Sequence, residues 1–337
     1  MLNSTRDRYN AYLDRQATLN GVASARDQFS VEPTVSQKLE DRIRESSGFL
    51  QQINVIGVPE LKGQKLGLDV NSPIASRTDT SVGERNPKDP TDLGPQDYEC
   101  SETDFDTFVS YQKLDMWAKF PDFQTRLRNA VTKQQARDRI MIGWNGTSIA
   151  ATSDIATNPL LQDVNIGWLQ EMRTHAPERV LTAPKVGDQA GADYKNIDAA
   201  VMDATNNLIA EWFADDTDLV AIVGRNLVSD KYVALANDHN APTEKVALDS
   251  IISNKQIGGK KAIMVPFFPA NAAMITKLSN LSIYYQEGSR RRLIKEEPEK
   301  RRIVDYQSVN EDYVVEDFSA ACLIENISVP DGADGWT

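Results

Sequence analysis

Two segments of the chain alternate between apolar and polar positions with a period of two, which is typical of half-buried β-strands. They cover residues 66–70 and 103–111. The intervening residues 72–102 are polar and include four prolines and two glycines, a composition that cannot build its own core. An isolated two-stranded hairpin is marginal in water. The pattern therefore predicts a long two-stranded arm, residues 54–112, that rests on another surface such as a second copy of the chain. A surface insertion is the alternative interpretation.

Two amphipathic helices are predicted near the N-terminus. Tyr9 and Leu13 fall on one stripe of a helix over residues 5–19, and a second helix begins near Thr34. The segment between them, residues 21–33, is polar and linker-like. Neither helix is apolar enough for a core helix, so both are interpreted as surface helices that pack either on a partner or on the chain's own body.

The longest predicted helix covers residues 121–142, with a proline in its first turn. Its apolar stripe consists of Phe123, Leu127, Ala130, Val131, Ile140 and Met141. Its opposite, basic face consists of Arg126, Arg128, Lys133, Arg137 and Arg139. A solvated face is the commoner interpretation of such a pattern, and a surface facing a polyanion is the alternative.

The rest of the chain predicts a compact α+β unit followed by a return to β structure. Helices are predicted at residues 164–175, 198–212 and 227–236, and a hairpin turn at Gly258 and Gly259. Strands of the middle unit are predicted at residues 218–224, 262–265, 273–276 and 282–285. Strands of the last part are predicted at residues 293–295, 303–305, 312–315 and 320–327. A dense cluster of charges of both signs covers residues 290–302.

Composition narrows the classes of function. The 337 residues are 40% hydrophobic, enough for a core in one or two domains. The formal net charge is -12 and the pI is about 4.8, which disfavours direct nucleic-acid binding because phosphate contacts need Lys and Arg. No apolar run approaches the roughly 20 residues that span a bilayer, so no membrane partner is expected. Cys100 and Cys322 lack metal-ligand spacing, which favours a soluble protein of a reducing compartment.

Motifs of known catalytic chemistry are missing from the sequence. The two histidines, His175 and His239, lie in no zinc-binding pattern, and neither a phosphate-binding glycine loop nor a GxSxG elbow occurs. We therefore predict no catalytic residues, no metal and no cofactor. One enzymatic alternative stays open: a cytosolic carboxylate-based hydrolase whose acids are scattered in sequence and converge in space.

The order of elements and several short sequence stretches resemble a known protein family. An N-terminal arm, a long extended loop, a long helix, a compact α+β middle and a β return resemble the Hong Kong 97-like fold of tailed-phage capsid proteins. Short stretches are similar to the major capsid proteins of the peduovirus group of temperate phages. They are NAYL (10–13), FSVEP (29–33), SPIASRTDT (72–80), PKD (87–89), YEC (98–100), NPLLQDVNIGWLQ (158–170), VMDATNNLI (201–209), LSIYYQ (281–286), RRLI (291–294) and YVVEDF (313–318).

The resemblance implies a structural role. Proteins of this family assemble as hexamers and pentamers into an icosahedral shell, the phage head, around double-stranded DNA inside the bacterial host cytoplasm. A scaffolding protein, a maturation protease and a portal protein are the implied partners. The implied fold class is α+β, with an N-terminal arm (1–53), an extended loop (54–112), a peripheral domain with the spine helix (113–166 and 279–317) and an axial domain (167–278 and 318–330). The net negative charge suits a shell that encloses DNA without binding it tightly.

Two sets of candidate functional residues follow. Exposed polar linkers are preferred sites of proteolysis, and capsid proteins of this type are commonly trimmed at the N-terminus, so a cleavage region is predicted at Gln28, Phe29 and Ser30. The removed helix would bind scaffold, or alternatively would stay docked on the inner surface of the shell. Candidate intersubunit contacts, in the arm and in the charge cluster where complementary charge would set the register, are Glu84, Arg85, Lys88, Arg290, Arg291, Arg292, Glu296 and Glu297.

Overall fold

The computed structural model describes residues 1–65, 75, 77–82, 84–85, 87, 96–117, 120, 123–228, 256–330 and 335–336. The main helices are α1 (Asn3–Leu19), α2 (Pro33–Glu45), α3 (Tyr111–Trp117), α4 (Phe123–Asn145), α5 (Trp168–His175), α6 (Ile197–Leu208) and α7 (Glu211–Ala214). The strands are β1 (Phe29–Ser30), β2 (Asn54–Val58), β3 (Lys62–Lys65), β4 (Gln96–Glu99), β5 (Ser101–Asp104), β6 (Thr107–Ser110), β7 (Val180–Thr182), β8 (Val220–Val223), β9 (Gln256–Ile257), β10 (Lys260–Ile263), β11 (Ala273–Thr276), β12 (Leu281–Gln286), β13 (Arg291–Glu297), β14 (Arg302–Val315) and β15 (Cys322–Glu325).

Strand β14 is the centre of a seven-stranded sheet. Strands β12 and β13 pair one after the other with one edge of β14, and β5 and β6 pair one after the other with its opposite edge. Glu311 of β14, for example, pairs with Tyr285 of β12 on one edge and with Ser101 of β5 on the other. The sequence predicted two strands here, 303–305 and 312–315. Both segments are strand, but the predicted break between them was wrong because β14 is continuous. The residues between them continue the ladder because each is paired on at least one edge, with β13 up to Ser308 and with β5 from Ser308 to Glu311.

The root of the arm belongs to this sheet. Strand β2 pairs in parallel with β12, and β5 and β6 pair with β14, so both ends of the arm are tied to the body. The predicted single strand over residues 103–111 is interrupted between β5 and β6, where the side chain of Phe105 packs in a small apolar cluster with Tyr285 and Val309. The other alternating segment, residues 66–70, lies outside the described residues.

A second, six-stranded sheet follows the order β7-β15-β11-β8-β10-β9. Strand β11 matches its prediction, and its four residues are buried. Gly258 and Gly259 form the β9–β10 hairpin turn as predicted, and both have positive φ, 58° and 76°, which favours glycine. The segment predicted as one helix over residues 198–212 is α6 followed by α7. Helix α5 begins at Trp168 rather than at residue 164, and most of the helix predicted over residues 227–236 lies outside the described residues.

Helix α4 confirms the long helix, but its buried face differs from the predicted stripe. The helix enters the core from Thr132 onward, while Leu127 is only half-buried and Ala130 is exposed. Arg139, which we assigned to the solvated basic face, is buried. The hydrophobic period alone could not show that the first turns of α4 extend beyond the core of this chain.

The main core lies where α4, α5 and the two sheets meet. Trp144 and Trp168 pack edge to face at its centre, with ring centroids 4.8 Å apart. Helix α2 contributes Ile43 to this core, so of the two interpretations of this helix, packing on the chain's own body is the one confirmed. Helix α1 also packs on the chain's own body, in a separate apolar cluster formed by Tyr9, Leu13, Ala25, Phe29, Val31 and Ile294.

Candidate functional site

Four charged side chains form a buried network between α2, α4 and the large sheet. Glu40 accepts hydrogen bonds from Arg139 Nη1 at 2.6 Å and Nη2 at 3.1 Å, and from Arg290 Nη2. Arg139 Nε donates to Glu311 Oε1 at 2.9 Å. All four residues are 4% exposed or less, and their formal charges cancel. We call Glu40, Arg139, Arg290 and Glu311 the buried network.

Electrostatics within the network differ between its two carboxylates. Burial opposes the charged form of Glu40, but the two guanidinium groups outweigh it and lower the pKa of this carboxyl to about 2. Burial raises the pKa of Glu311, which pairs with one guanidinium, that of Arg139, and accepts a weak hydrogen bond from Tyr313 Oη at 3.5 Å. Glu40 is therefore the residue whose charge holds α2 against α4 and the sheet. Sequence reasoning missed this network; the available signal was the position of Glu40 beside Leu39 and Ile43 on the apolar side of α2.

The charge cluster of residues 290–302 is largely paired within the chain. Arg290 belongs to the buried network. Arg292 donates two hydrogen bonds to Asp305, from Nε to Oδ1 at 2.8 Å and from Nη2 to Oδ2 at 2.6 Å. Glu297 accepts from Arg302 Nε at 2.7 Å. The predicted contact with a neighbouring copy is wrong for Arg290, because this side chain is buried within the chain. Arg292 and Glu297 have internal partners but stay partly exposed, so their roles as contacts stay predictions.

Helix α1 uses the same strand as its docking surface. Arg6 donates to both carboxylate oxygens of Glu296, at 2.5 and 2.8 Å, and Tyr111 Oη donates to Glu296 Oε1 at 2.5 Å. Arg292 Nη2 donates to Tyr12 Oη at 2.9 Å. The hydrogen bond from Arg6 lowers the pKa of Glu296. Glu296 thus also has internal partners and is partly exposed, while Arg291 is exposed, and both stay predictions as intersubunit contacts.

The predicted cleavage region does not lie in an open linker. Gln28 and Ser30 are exposed, but Phe29 is buried and pairs with Arg292, while Ser30 pairs with Arg291. The expectation of a free polar linker is wrong at these positions because apolar side chains anchor the segment to β13. Cleavage here stays a prediction, and it requires β1 to leave the sheet first.

The base of the arm docks on the face of the large sheet opposite the buried network. Tyr98 packs edge to face against Tyr284 with centroids 5.2 Å apart. The backbone N–H of Glu99 donates to Asp312 Oδ2 at 3.0 Å, and burial raises the pKa of the Asp312 carboxyl to about 7. Lys65 Nζ donates to the carbonyl of Val315 at 2.5 Å. These contacts fix the direction in which the arm leaves the body.

Three predicted contact residues lie farther along the arm. Glu84 and Arg85 are exposed, and Lys88 lies outside the described residues. These predictions remain predictions. They are consistent with an arm whose charged residues are available to a neighbour.

Within the described residues no group of three or more His, Cys, Asp or Glu side chains is arranged to hold a metal ion. Among the same residues, the helices lack the length and apolar character needed to cross a membrane. The two cysteines are buried, which raises the pKa of both thiols to about 12.

Comparison with known families decides between the structural and the enzymatic interpretation. The family model described as phage major capsid protein, P2 family, matches residues 8–327. The chain belongs to this family. It is 49% identical to the capsid protein of Escherichia phage P2, over 98% of this chain and 96% of that relative. It is 41% identical to the major capsid protein of Serratia phage KSP20, over 99% of this chain and 100% of that relative.

Solved structures agree with the family. The chain superposes with a TM-score of 0.81 and 47% identity on a chain from the procapsid of satellite phage P4 that includes the size determination (Sid) protein, covering 98% of this chain and 99% of that one. The capsid protein of a native GTA particle gives a TM-score of 0.52 at 16% identity over 83% of this chain and 89% of that one, which shows a shared fold alone. This P2-family chain therefore has the mixed helix-and-sheet fold of phage capsid proteins.

Family membership confirms the structural function predicted from the sequence. The protein is a major capsid protein of a phage head, a component of the virion, and it associates with copies of itself into a shell. It is not an enzyme, and the alternative of a carboxylate-based hydrolase is set aside.

Proposed function

We propose that this P2-family protein assembles as hexamers and pentamers into an icosahedral head that encloses double-stranded DNA, with a Hong Kong 97-like arrangement of its parts. The match of the capsid family model over residues 8–327 carries this proposal. The net charge of -12 supports a shell that encloses DNA without binding it tightly, because copies of an acidic chain repel phosphate.

In the proposed arrangement the arm covers residues 1–53 and the extended loop residues 54–112. The peripheral domain comprises residues 113–166 and 279–317, and the axial domain residues 167–278 and 318–330. The two sheets support this division, since β12, β13 and β14 belong to one and β8, β11 and β15 to the other. The extended loop would cross a neighbouring subunit through Glu84, Arg85 and Lys88, and Arg291 would add a contact from the peripheral domain.

Assembly would take place in the host cytoplasm with three other proteins: a scaffolding protein, a maturation protease and a portal protein. A related chain occurs in a procapsid that includes a size determination protein, which supports a procapsid stage and external control of shell size for this chain as well.

The protease would trim the chain at Gln28–Ser30 and release α1. The separation of the α1 cluster from the main core supports this, because most members of that cluster precede residue 32 while α2 is held by the buried network. Mass spectrometry of the protein from mature particles tests it. A chain that still begins at Met1 or Leu2 would contradict the trimming proposal and would favour the alternative in which α1 stays docked on the inner surface of the shell.

Electron microscopy of the expressed protein, with and without a scaffolding protein from the same phage, tests assembly. We expect closed shells in the presence of scaffold, and none from a variant lacking residues 82–92, although this variant should remain folded because the sheet contacts of the arm lie outside the deletion. Shell formation by the deletion variant would refute the crossing role of the loop. A small closed oligomer under every condition would contradict shell assembly itself.

A further inference from the structure

Helix α4 carries a stripe of positive charge on the surface of an acidic chain. Positions 126, 130, 133 and 137 are four, three and four residues apart, so they share one face of the helix with positions 129 and 134 beside them. Residues 123–137 contain no Asp or Glu, whereas each of the other main helices contains at least one. We call this face the basic stripe; its six residues, all exposed, are Arg126, Asn129, Ala130, Lys133, Gln134 and Arg137.

The charges of Lys133 and Arg137 are not neutralised by pairing within the described part of the chain. No ion pair among the described residues involves either side chain, whereas Arg139, on the buried face of the same helix, pairs with two carboxylates. The one carboxylate of α4, Asp138, is half-buried and accepts a hydrogen bond from Gln134 Nε2 at 2.7 Å. The basic stripe therefore presents an excess of positive charge on a helix that is already anchored in the core.

The composition of the basic stripe favours a polyanion as its occupant. It consists of three cations, two amides and one alanine, and it exposes no large apolar side chain. Interfaces with DNA are polar and strongly positive, whereas the cores of interfaces between proteins are apolar and depleted of charge. Asn and Gln side chains also donate to phosphate oxygens. A second copy of this chain, though acidic, would leave these cations without the apolar core that a stable protein interface needs.

The dimensions of the basic stripe fit double-stranded DNA. Arg126 and Arg137 are eleven residues apart in sequence, which corresponds to roughly 16 Å along the helix axis. Double-stranded DNA carries one negative charge per about 1.7 Å of its axis, so each of the three cations can meet a phosphate over this length.

We propose that the basic stripe of α4 lies on the inner surface of the shell and contacts phosphates of the packaged double-stranded DNA. This inference rests on the proposed function, enclosure of DNA, and names the face of the chain that meets the DNA. The net charge of -12 keeps the overall attraction weak, because most of the chain's surface repels phosphate. Each copy then contributes one local contact to the outer layer of the DNA.

The reactivity of the Lys133 amine tests the proposal directly. DNA-filled particles, and the same particles after release of their DNA and nuclease digestion, are acetylated with a small amine-reactive ester, and the modified peptides are measured by mass spectrometry. We expect Lys133 to react at least about fivefold more slowly in the filled particles, because an amine that contacts a phosphate is covered and held in its charged form. Equally slow reaction in both samples would mean that a protein covers the stripe, and equally fast reaction that solvent does. Either result would overturn the proposal while leaving enclosure of DNA intact.

A charge reversal gives an independent readout. Lys133→Glu should lower the share of particles filled with DNA at least about twofold, because it replaces a phosphate contact with repulsion in every copy. The urea midpoint of the unassembled protein should stay the same, since the residue is exposed. Loss of all shells from this variant would place the stripe between copies and overturn the proposal.

Lys38→Glu is the matched control. Lys38 is exposed on α2, on a face that also carries Asp41, Arg42 and Glu45, so it belongs to no stripe of one sign. The substitution changes the net charge by the same amount and should leave the share of filled particles unchanged. Equal losses from Lys133→Glu and Lys38→Glu would assign the effect to net charge and overturn the proposal.

Discussion

Glu40→Gln should be among the most destabilising single-atom changes in this protein. The amide keeps the size of the side chain but removes the charge that Arg139 and Arg290 share. A carboxyl whose pKa falls from 4.5 to about 2 has a charged form that the fold stabilises by about 3 kcal/mol. Removing one partner of a buried ion pair costs roughly 3–5 kcal/mol, because the remaining charge stays buried. We therefore expect a loss of about 3–5 kcal/mol in the free energy of unfolding.

Urea unfolding of the unassembled protein measures this loss through tryptophan fluorescence, since Trp144 and Trp168 are fully buried in the core that α2 helps to close. Asp41→Asn is the matched control. It makes the same chemical change one residue along α2, at an exposed position, and should alter stability by no more than about 0.5 kcal/mol.

The pH dependence gives a second test of the same residue. A carboxyl with a lowered pKa stabilises the fold at pH values above its unfolded pKa, and this contribution is lost as the pH falls through the folded value. For Glu40 the loss spans the range from 4.5 down to about 2. The wild-type protein should therefore lose stability more steeply over that range than Glu40→Gln does. Equal slopes, or a loss in urea no larger than that of Asp41→Asn, would show that the network does not hold α2 in place.

Burial and charge set three other expected outcomes. Ile140→Asp should cost several kcal/mol more than Leu127→Asp in urea unfolding, because Ile140 is in the core and Leu127 is half-buried; equal losses would contradict the assigned face of α4. Asp312 has a pKa raised to about 7, so the native chain binds more protons than the unfolded chain between pH 3.8 and about 7, and stability falls as the pH rises through this range. Asp312→Asn should flatten that fall in a series of thermal midpoints, and an unchanged fall would refute the assignment. Arg292→Glu should release α1 and so speed the removal of this helix in limited proteolysis. Arg291→Glu should leave the rate of proteolysis unchanged and lower the yield of particles. The reverse pattern would place the intersubunit contact at Arg292.

Local patterns in the sequence were sufficient for much of the secondary structure. The helical period located α1 and α4, because side chains three and four residues apart share a helix face whatever the rest of the chain does. The apolar run that contains β8 and the glycine pair between β9 and β10 are local in the same sense. Short sequence motifs distributed along the chain also indicated the capsid family. The match to the family model confirmed this assignment.

The exposed or buried state of charged residues was decided by tertiary structure. Periodicity assigns a charge to the solvated face by default, because burying an unpaired charge is costly. Arg139 is an exception since its partners Glu40 and Glu311 lie 99 and 172 residues away, and Arg290 reaches Glu40 across 250 residues. The same holds for β14, whose residues 308–311 pair with β5, a strand about 200 residues earlier in the chain. The sequence by itself determined the local elements and the family; contacts between distant segments determined which charges are buried, where α1 docks and how the arm is rooted.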